Sequence, residues 1–304
     1  VLFRSTDDPP FCYIENNKII GKADEYFPED PANEGRKIKA AEGWRHQDAD
    51  FDFMDKTINF IEKEVKKENS FFVYLPLSLP HIPWLPHEDF KGISGAGPRG
   101  DQVVMADFIL DRITDKLDEL KISGDTLIIF TSDNGPRPGV NGHQSAWKWR
   151  GYKGTIWEGG HRVPFIAKWP GKIKPGSTSD QLTVLTDLMA TTAAIIGEDY
   201  PRKYCEDTYN ILPALIGETK GKQIRDNAVL HSGAGAFAIR RGKWKLIVGT
   251  TGGGYHEPPQ PGSPGQLYNL NQDPYETNNL YGEKPDLVSE LKEELEKVKS
   301  GNYK

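Results

Sequence analysis

Two periodicities divide the chain into elements. From Asp52 to Lys67, Met54, Ile58, Ile61 and Val65 recur at spacings of three and four, with Lys and Glu between them, which predicts an amphipathic helix. Gly100 to Leu120 predicts a second helix, with Val104, Phe108, Ile113, Leu117 and Leu120 on its apolar side. Asp101 falls in its first turn, where an acid favours the helix dipole. Thr186 to Ile196 predicts a third, ended by Gly197 as a left-handed cap. Leu287, Leu291, Leu295 and Val298 mark a terminal helix. Elsewhere the apolar runs are short. Ser70 to Leu75 and Val163 to Trp169 predict strands, and Leu182 to Val184 a minor one. The run Leu127-Ile128-Ile129-Phe130 predicts a strand buried on both faces, as in the middle of a parallel sheet. Pro9 to Ile14 and Lys18 to Gly21 predict short strands around an Asn16-Asn17 turn.

The alternation of helix and strand up to about residue 200 predicts an α/β fold, with a mixed or parallel sheet flanked by helices over residues 6–200. Beyond it the elements become short and β-like. Asn227 to His231, Ala236 to Arg240, Trp244 to Val248 and Gln266 to Leu270, with a hairpin signal at Arg241-Gly242-Lys243 and a Gly/Pro-rich loop from Thr251 to Gly265, predict a small antiparallel sheet. With the terminal helix it makes a subdomain over 201–304.

Composition narrows the function classes. The 304 residues carry a formal charge of −6, which argues against nucleic acid as the main partner. No apolar run is long enough to span a bilayer. The 31 Gly and 22 Pro cluster between periodic segments and predict ordered loops. Two cysteines, Cys12 and Cys205, allow at most one disulfide and no zinc cluster. Val1 to Ser5 reads as the translated end of a sequencing adapter, so residues 1–5 are expected to be non-native and the natural start to lie upstream.

Candidate chemistry stands where strands should end. Asp133 and Asn134 follow the Leu127–Phe130 run, and supply the carboxylate and amide oxygens that a hard divalent cation takes. The alternative is a turn in which both side chains bond their own backbone. His81, braced by Pro80 and Pro83, can donate a proton to a leaving oxygen, or serve as a capped loop histidine. His87 is less constrained and is expected to be solvated. Lys153 lies between Gly151 and Gly154, where a point charge flanked by backbone suits an oxyanion such as sulfate or phosphate. Glu158 and Arg162 are spaced to pair and hold that loop, with His161 as a second brace. The loop from Asn141 to Arg150 is a candidate substrate wall: Trp147 to stack on a sugar ring, His143 and Arg150 to grip anionic groups. Its alternative is a packed surface loop.

The combination is more specific than its parts. Pro80-His81-Ile82-Pro83, Thr131-Ser132-Asp133-Asn134-Gly135, Gly151-Tyr152-Lys153 and Glu158-Gly159-Gly160-His161-Arg162-Val163-Pro164, followed by Lys168-Trp169-Pro170-Gly171, closely resemble the type I, formylglycine-dependent sulfatases of the arylsulfatase and N-acetylgalactosamine-6-sulfatase kind. Gly242 to Leu246, Leu267 to Leu270, Asp273-Pro274, Glu276, Asn279 and Leu280 resemble their C-terminal subdomain. The resemblance implies an alkaline-phosphatase-like fold and hydrolysis of sulfate esters, of sulfated carbohydrate above all. It also implies one Ca²⁺ or Mg²⁺ held in part by Asp133 and Asn134, Lys153 on a sulfate oxygen, and His81 beside the bridging oxygen. A periplasmic or secreted location and dependence on a formylglycine-generating enzyme come with it.

The sequence departs from the family where the nucleophile should be. Formylglycine arises within Cys/Ser-x-Pro-x-Arg, and neither Cys12 nor Cys205 lies in such a motif. The paired aspartates of the family's N-terminal part are absent as well. The expectation is a truncated sulfatase that has no turnover by itself. A phosphodiesterase or phosphonate hydrolase of the same superfamily, or a non-catalytic protein that binds sulfated glycans, are the alternatives.

Overall fold

The computed structural model describes residues 10–27, 38–138, 142–254 and 262–301. The segment Val1 to Ser5, Pro9, Asn141 and part of the Thr251–Gly265 loop lie outside them. The chain forms two compact units, residues 1–126 and 127–304.

In the first unit, β1 (Tyr13–Glu15) and β2 (Lys18–Ile20) form the expected hairpin, with Asn16 at φ 56 in the turn. β3 (Glu25–Phe27) pairs with β4 (Ile38–Ala40). Phe11, Ala40, Trp44 and Ala49 bury one another beside them. Helix α1 (Ala49–Lys66) packs on α2 (Gly97–Glu119), and Lys116 Nζ reaches Glu62 Oε1 across the pair at 3.2 Å. α1 buries Met54 and Ile61, as its periodicity requires.

The buried face of α2 differs from the predicted one. It runs through Gln102, Met105, Ala106, Ile109 and Leu117, while Phe108 is exposed. Asp101 and Gln102 are polar and yet inside because each is hydrogen-bonded, although Gln102 Oε1 itself has no partner among the described residues. Asp101 accepts from Gly92 N at 2.8 Å and from Ser94 N at 3.0 Å, and Gln102 donates to the Pro83 carbonyl at 3.1 Å. The helix starts at Gly97, so Asp101 ties down a loop instead of capping the first turn, and the Ser94 hydroxyl, followed by the two backbone donors, holds its pKa down.

Two predicted strands are absent. Ser70 to Leu75 is extended but belongs to no ladder among the described residues. Phe71, Val73 and Leu75 are half-buried, while Phe72 is 74% and Tyr74 72% exposed, so one face is covered and the other is not. Leu182 to Val184 forms no strand either; Val184 N instead donates to Asp187.

In the second unit, β5 (Ile128–Thr131) pairs antiparallel with β6 (Phe165–Lys168), Ile128 opposite Lys168 and Thr131 opposite Phe165. The strand is where the apolar run put it, but its setting is different. All four residues are half-buried, and among the described residues its one ladder partner is antiparallel. α3 (Glu158–His161), α4 (Asp187–Ile196) and α5 (Leu212–Leu215) follow, and Gly197 closes α4 at φ 72 as expected. A fully buried Asp187 pairs with Arg225 and anchors α4.

The C-terminal sheet is antiparallel, as predicted, in the order β10-β9-β8-β7, with β7 Asn227–His231, β8 Phe237–Arg241, β9 Trp244–Val248 and β10 Gly265–Asn269. Alternation sends Ile239, Leu246 and Leu267 to one face, where Val288, Leu291 and Leu295 of α6 (Pro285–Lys299) cover them. Ala238, Ile247 and Tyr268 point to the other face, and Ile156 and Trp157 close over it. The sheet therefore connects the terminal helix on one side with the segment leading out of the Lys153 loop on the other.

Candidate functional site

The turn after β5 is built by short local bonds. Ser132 Oγ donates to the Asn134 carbonyl at 3.2 Å, and Asn134 Nδ2 to the Gly135 carbonyl at 3.2 Å. The second bond leaves Asn134 Oδ1 as an oxygen donor, next to the exposed carboxylate of Asp133.

The Lys153 loop is fastened to this turn. Gly135 N donates to Gly160 O at 2.9 Å, and Lys153 N to Pro136 O at 2.9 Å. The approach is so close that a Cβ on Gly135 would sit 1.8 Å from the Gly159 carbonyl oxygen, so only glycine fits. Lys153 is half-buried between Gly151 at φ +83 and Gly154 at φ +87. These contacts bring the segment bearing Lys153 against the segment bearing Asp133 and Asn134. His81 belongs to the first unit and is exposed. Its Nδ1 lies 2.8 Å from the Ile82 carbonyl, which can only accept, so Nδ1 carries the proton in the neutral ring. Trp84 Nε1, donating to Pro80 O at 3.2 Å, and Gln102 brace this loop. His87 is half-buried, more constrained than expected: it caps a short turn by accepting from Asp89 N and packs edge-on against Phe51 at 5.2 Å.

Asp133 and Asn134 are two hard-oxygen donors of the kind a Ca²⁺ or Mg²⁺ takes. Six or more ligands are usual for Ca²⁺, and among the described residues no group of three or more His, Cys, Asp or Glu could hold a metal. Asp133 and Asn134 are thus donors of the right type, and by themselves fewer than such an ion takes.

The brace that holds the loop was only partly foreseen. Glu158 and Arg162 do pair, at 3.5 Å, but the nearest cation to Glu158 is Lys245, at 3.0 Å, and Arg240 stands at 3.8 Å. Lys245 Nζ also lies 2.8 Å from Glu276 Oε1, and Glu276 Oε2 accepts from the Glu158 backbone N–H at 2.7 Å. Lys245 and Glu276 are fully buried. Burial acts to raise the Glu158 carboxyl, but Lys245, Arg240 and Arg162 outweigh it and hold the pKa down; for Glu276 burial prevails and the pKa is raised. His161, half-buried beside Lys245, Glu158 and His231, is pushed down to about 4 by burial. The sequence placed Lys245 in the predicted strand Trp244 to Val248 and assigned it no partner. The available signal was its place between Trp244 and Leu246 in a mostly apolar strand.

The 142–150 stretch divides in two. Arg150 is turned inward: Nη1 donates to Tyr268 Oη at 3.0 Å and to the Glu276 carbonyl at 2.9 Å, and the guanidinium lies 3.9 Å from the Trp157 ring centre. Tyr268, pushed up to about 12 by burial, stays a neutral hydrogen-bonding group. Trp147 points outward, 57% exposed, and His143 is half-buried. Trp147, Trp149 and Tyr275 form a cluster of rings 5.5–5.9 Å apart, with Arg162 stacked on Trp149 at 4.1 Å. Cys12 is buried, Cys205 half-buried, and neither is in a disulfide.

The Sulfatase family model matches residues 7–198, well over half of the chain. This chain belongs to the sulfatase family. A second model, the C-terminal region of N-sulphoglucosamine sulphohydrolase, matches residues 147–301. An N-acetylgalactosamine-6-O-sulfatase of Bacteroides thetaiotaomicron is 34% identical over 84% of this chain and 52% of its own length. Human arylsulfatase A is 32% identical over 75% of this chain and 48% of its own. The chain thus spans about half the length of these curated relatives. A solved B. thetaiotaomicron sulfatase, from a study of glycosaminoglycan metabolism, superposes with a TM-score of 0.83 at 28% identity, over 97% of this chain and 71% of that one. The fold is accordingly α/β of the alkaline-phosphatase-like class, with the small C-terminal antiparallel sheet and helix described above. No helix of the described residues is long and apolar enough to cross a membrane.

Proposed function

We propose that this sulfatase-family chain contributes to the hydrolysis of sulfate esters on carbohydrate. The observation that supports this most is the fastening of the Lys153 loop to the Asp133–Asn134 turn, through Lys153 N–Pro136 O and Gly135 N–Gly160 O. It keeps a cation and two hard-oxygen donors on adjoining segments. The relatives' names point to the substrate class, since one is an N-acetylgalactosamine-6-O-sulfatase.

In this reading the Lys153 ammonium binds a non-bridging sulfate oxygen and neutralises charge that grows there in the transition state. Asp133 and Asn134 would be among the ligands of a Ca²⁺ or Mg²⁺, which when bound supplies further positive charge at the sulfuryl oxygens. His81, with Nδ1 committed to the Ile82 carbonyl, would deliver a proton from Nε2 to the departing sugar oxygen. His143, Trp147 and Arg150 are the proposed substrate wall; Arg150 serves it from behind, by fixing the loop through Tyr268 and Glu276. The residues do not fit a formylglycine, because no Cys/Ser-x-Pro-x-Arg occurs in these 304 residues. The chain alone should therefore show no turnover, and the reading frame that contains it would supply the nucleophile, together with a formylglycine-generating enzyme and export to the periplasm or exterior.

The test is a paired assay of the protein encoded by that reading frame on N-acetylgalactosamine 6-sulfate and on the matching 6-phosphate diester. Preference for the sulfate ester supports the proposal. Preference for the phosphate would transfer the site to the phosphodiesterase and phosphonate hydrolase reading, and binding without hydrolysis of either would transfer it to a glycan-binding one.

A further inference from the structure

The ring cluster beside the Lys153 loop has features that a packed surface loop does not need. Trp147 is more than half exposed although tryptophan is the costliest side chain to leave in water. Its backbone sits at φ +51, a region that a bulky L-residue enters only under strain. Trp149 and Tyr275 stand edge-to-face with it and tilted to each other, and Arg162 lies over Trp149, so the exposed Trp147 is the ring best placed to stack on a flat apolar surface. Lys148 Nζ lies 5.4 Å from the Trp147 ring centre, and no carboxylate pairs with it among the described residues. Lys148 and Tyr275 also line an open cavity of about 570 Å³, with Arg150, Glu276, Thr250, Ser263 and Thr277 in its wall, a size suited to a small ligand.

We propose that Trp147, Trp149, Tyr275 and Lys148 form a subsite for a second, anionic sugar residue, adjoining the one that bears the scissile ester. The apolar C–H face of a pyranose would lie on the rings, and its carboxylate or sulfate would meet Lys148, with ring hydroxyls turned to Thr250, Ser263 and Thr277. Arg162, stacked on Trp149 and paired with Glu158, adds positive potential to the same wall. The inference rests on the sulfated-carbohydrate reading and extends it from a monosaccharide ester to an oligosaccharide. It also gives a role to Tyr275, a residue of the C-terminal segment that sequence reading passed over.

The test is calorimetric titration of the protein encoded by the reading frame, with two probes. One is N-acetylgalactosamine 6-sulfate, the other the disaccharide in which a uronic acid is attached to it. The disaccharide should bind about tenfold more tightly than the monosaccharide, the scale of one good aromatic contact. That ratio should fall towards one in Trp147→Ala and in Tyr275→Leu. In Lys148→Gln it should fall and lose its dependence on salt. Circular dichroism checks that each variant is folded, and two of the three suffice to decide. Equal affinity for the two probes in the wild type, or a ratio unmoved by the variants, overturns the subsite. Absence of hydrolysis with the tenfold ratio intact would instead overturn the proposed reaction and leave the subsite standing.

Discussion

The second unit holds two small sheets that solve the same problem differently. The four-stranded sheet is covered on both faces, by α6 and by the Ile156–Trp157 segment, and all of β10 is buried. The β5–β6 pair has two strands, half-buried residues throughout β5 and Ile166 61% exposed. Yet the turn with Asp133 and Asn134 hangs from the weaker of the two. The geometry of that turn therefore depends on the stronger sheet, to which it is joined in sequence by the Lys153 loop, Glu158 and the Lys245–Glu276 pair. Rigidity is made where the apolar area is, and passed through buried charge to where the chemistry would be.

The largest expected effect follows from the charged link. Lys245→Ala leaves two buried carboxylates with their shared cation gone, and should cost about 3–5 kcal/mol in urea melts. A loss below 1 kcal/mol would mean that water reaches the trio and that the link is not buried.

Next comes a matched pair of truncations. Leu291→Ala, in the fully covered sheet, should cost about 2–5 kcal/mol. Ile166→Ala, on the open pair, should stay within about 0.5 kcal/mol. Comparable losses at both positions would erase the contrast between the sheets. Gly135→Ala falls between them at about 1–3 kcal/mol, since its Cβ meets backbone that cannot swing aside.

Acid should loosen the same link more gently. His161 is held neutral, with its pKa pushed down to about 4 first by burial and then by Lys245, and with Glu158 and His231 as its other charged neighbours. The unfolded chain takes up this proton near 6.5 and the folded chain near 4. Unfolding is thus favoured as pH falls through that window, by up to about 3 kcal/mol in all, and this group contributes no slope above it. His161→Phe should flatten the stability profile between pH 6.5 and 4; an unchanged slope would place the acid sensitivity elsewhere.

Much of this contrast was legible in the sequence, and the failures share a cause. The C-terminal strands and α6 were readable because each has one apolar face that another element covers, so period and burial agree. β5 was readable as a strand but not in its setting, because an unbroken apolar run looks the same whether both of its faces are covered or only partly so. Ser70 to Leu75 has the composition of a strand, but a ladder needs a partner, and composition says nothing of partners. The face of α2 was misplaced because Asp101 and Gln102 are buried by their hydrogen bonds, which no hydropathy pattern reports. The pairing of Lys245 with Glu276 was out of reach for the same reason: a buried ion pair between residues 31 apart leaves no mark in a hydropathy pattern. Asp133, Asn134 and Lys153 were singled out because strand-end position and flanking glycines are local signals. That the two segments are bonded to each other is not local, and came from the structure.

The central claim is that Lys153, held against the Asp133–Asn134 turn, binds the sulfate being transferred. The most direct measurement is kcat/KM for N-acetylgalactosamine 6-sulfate with the protein encoded by the reading frame, for wild type and Lys153→Ala at matched folding. A fall of about 10²–10³-fold, as for loss of one oxyanion-stabilising group, is predicted. A kcat/KM within a few-fold of wild type would contradict it and leave Lys153 as an ordinary loop lysine.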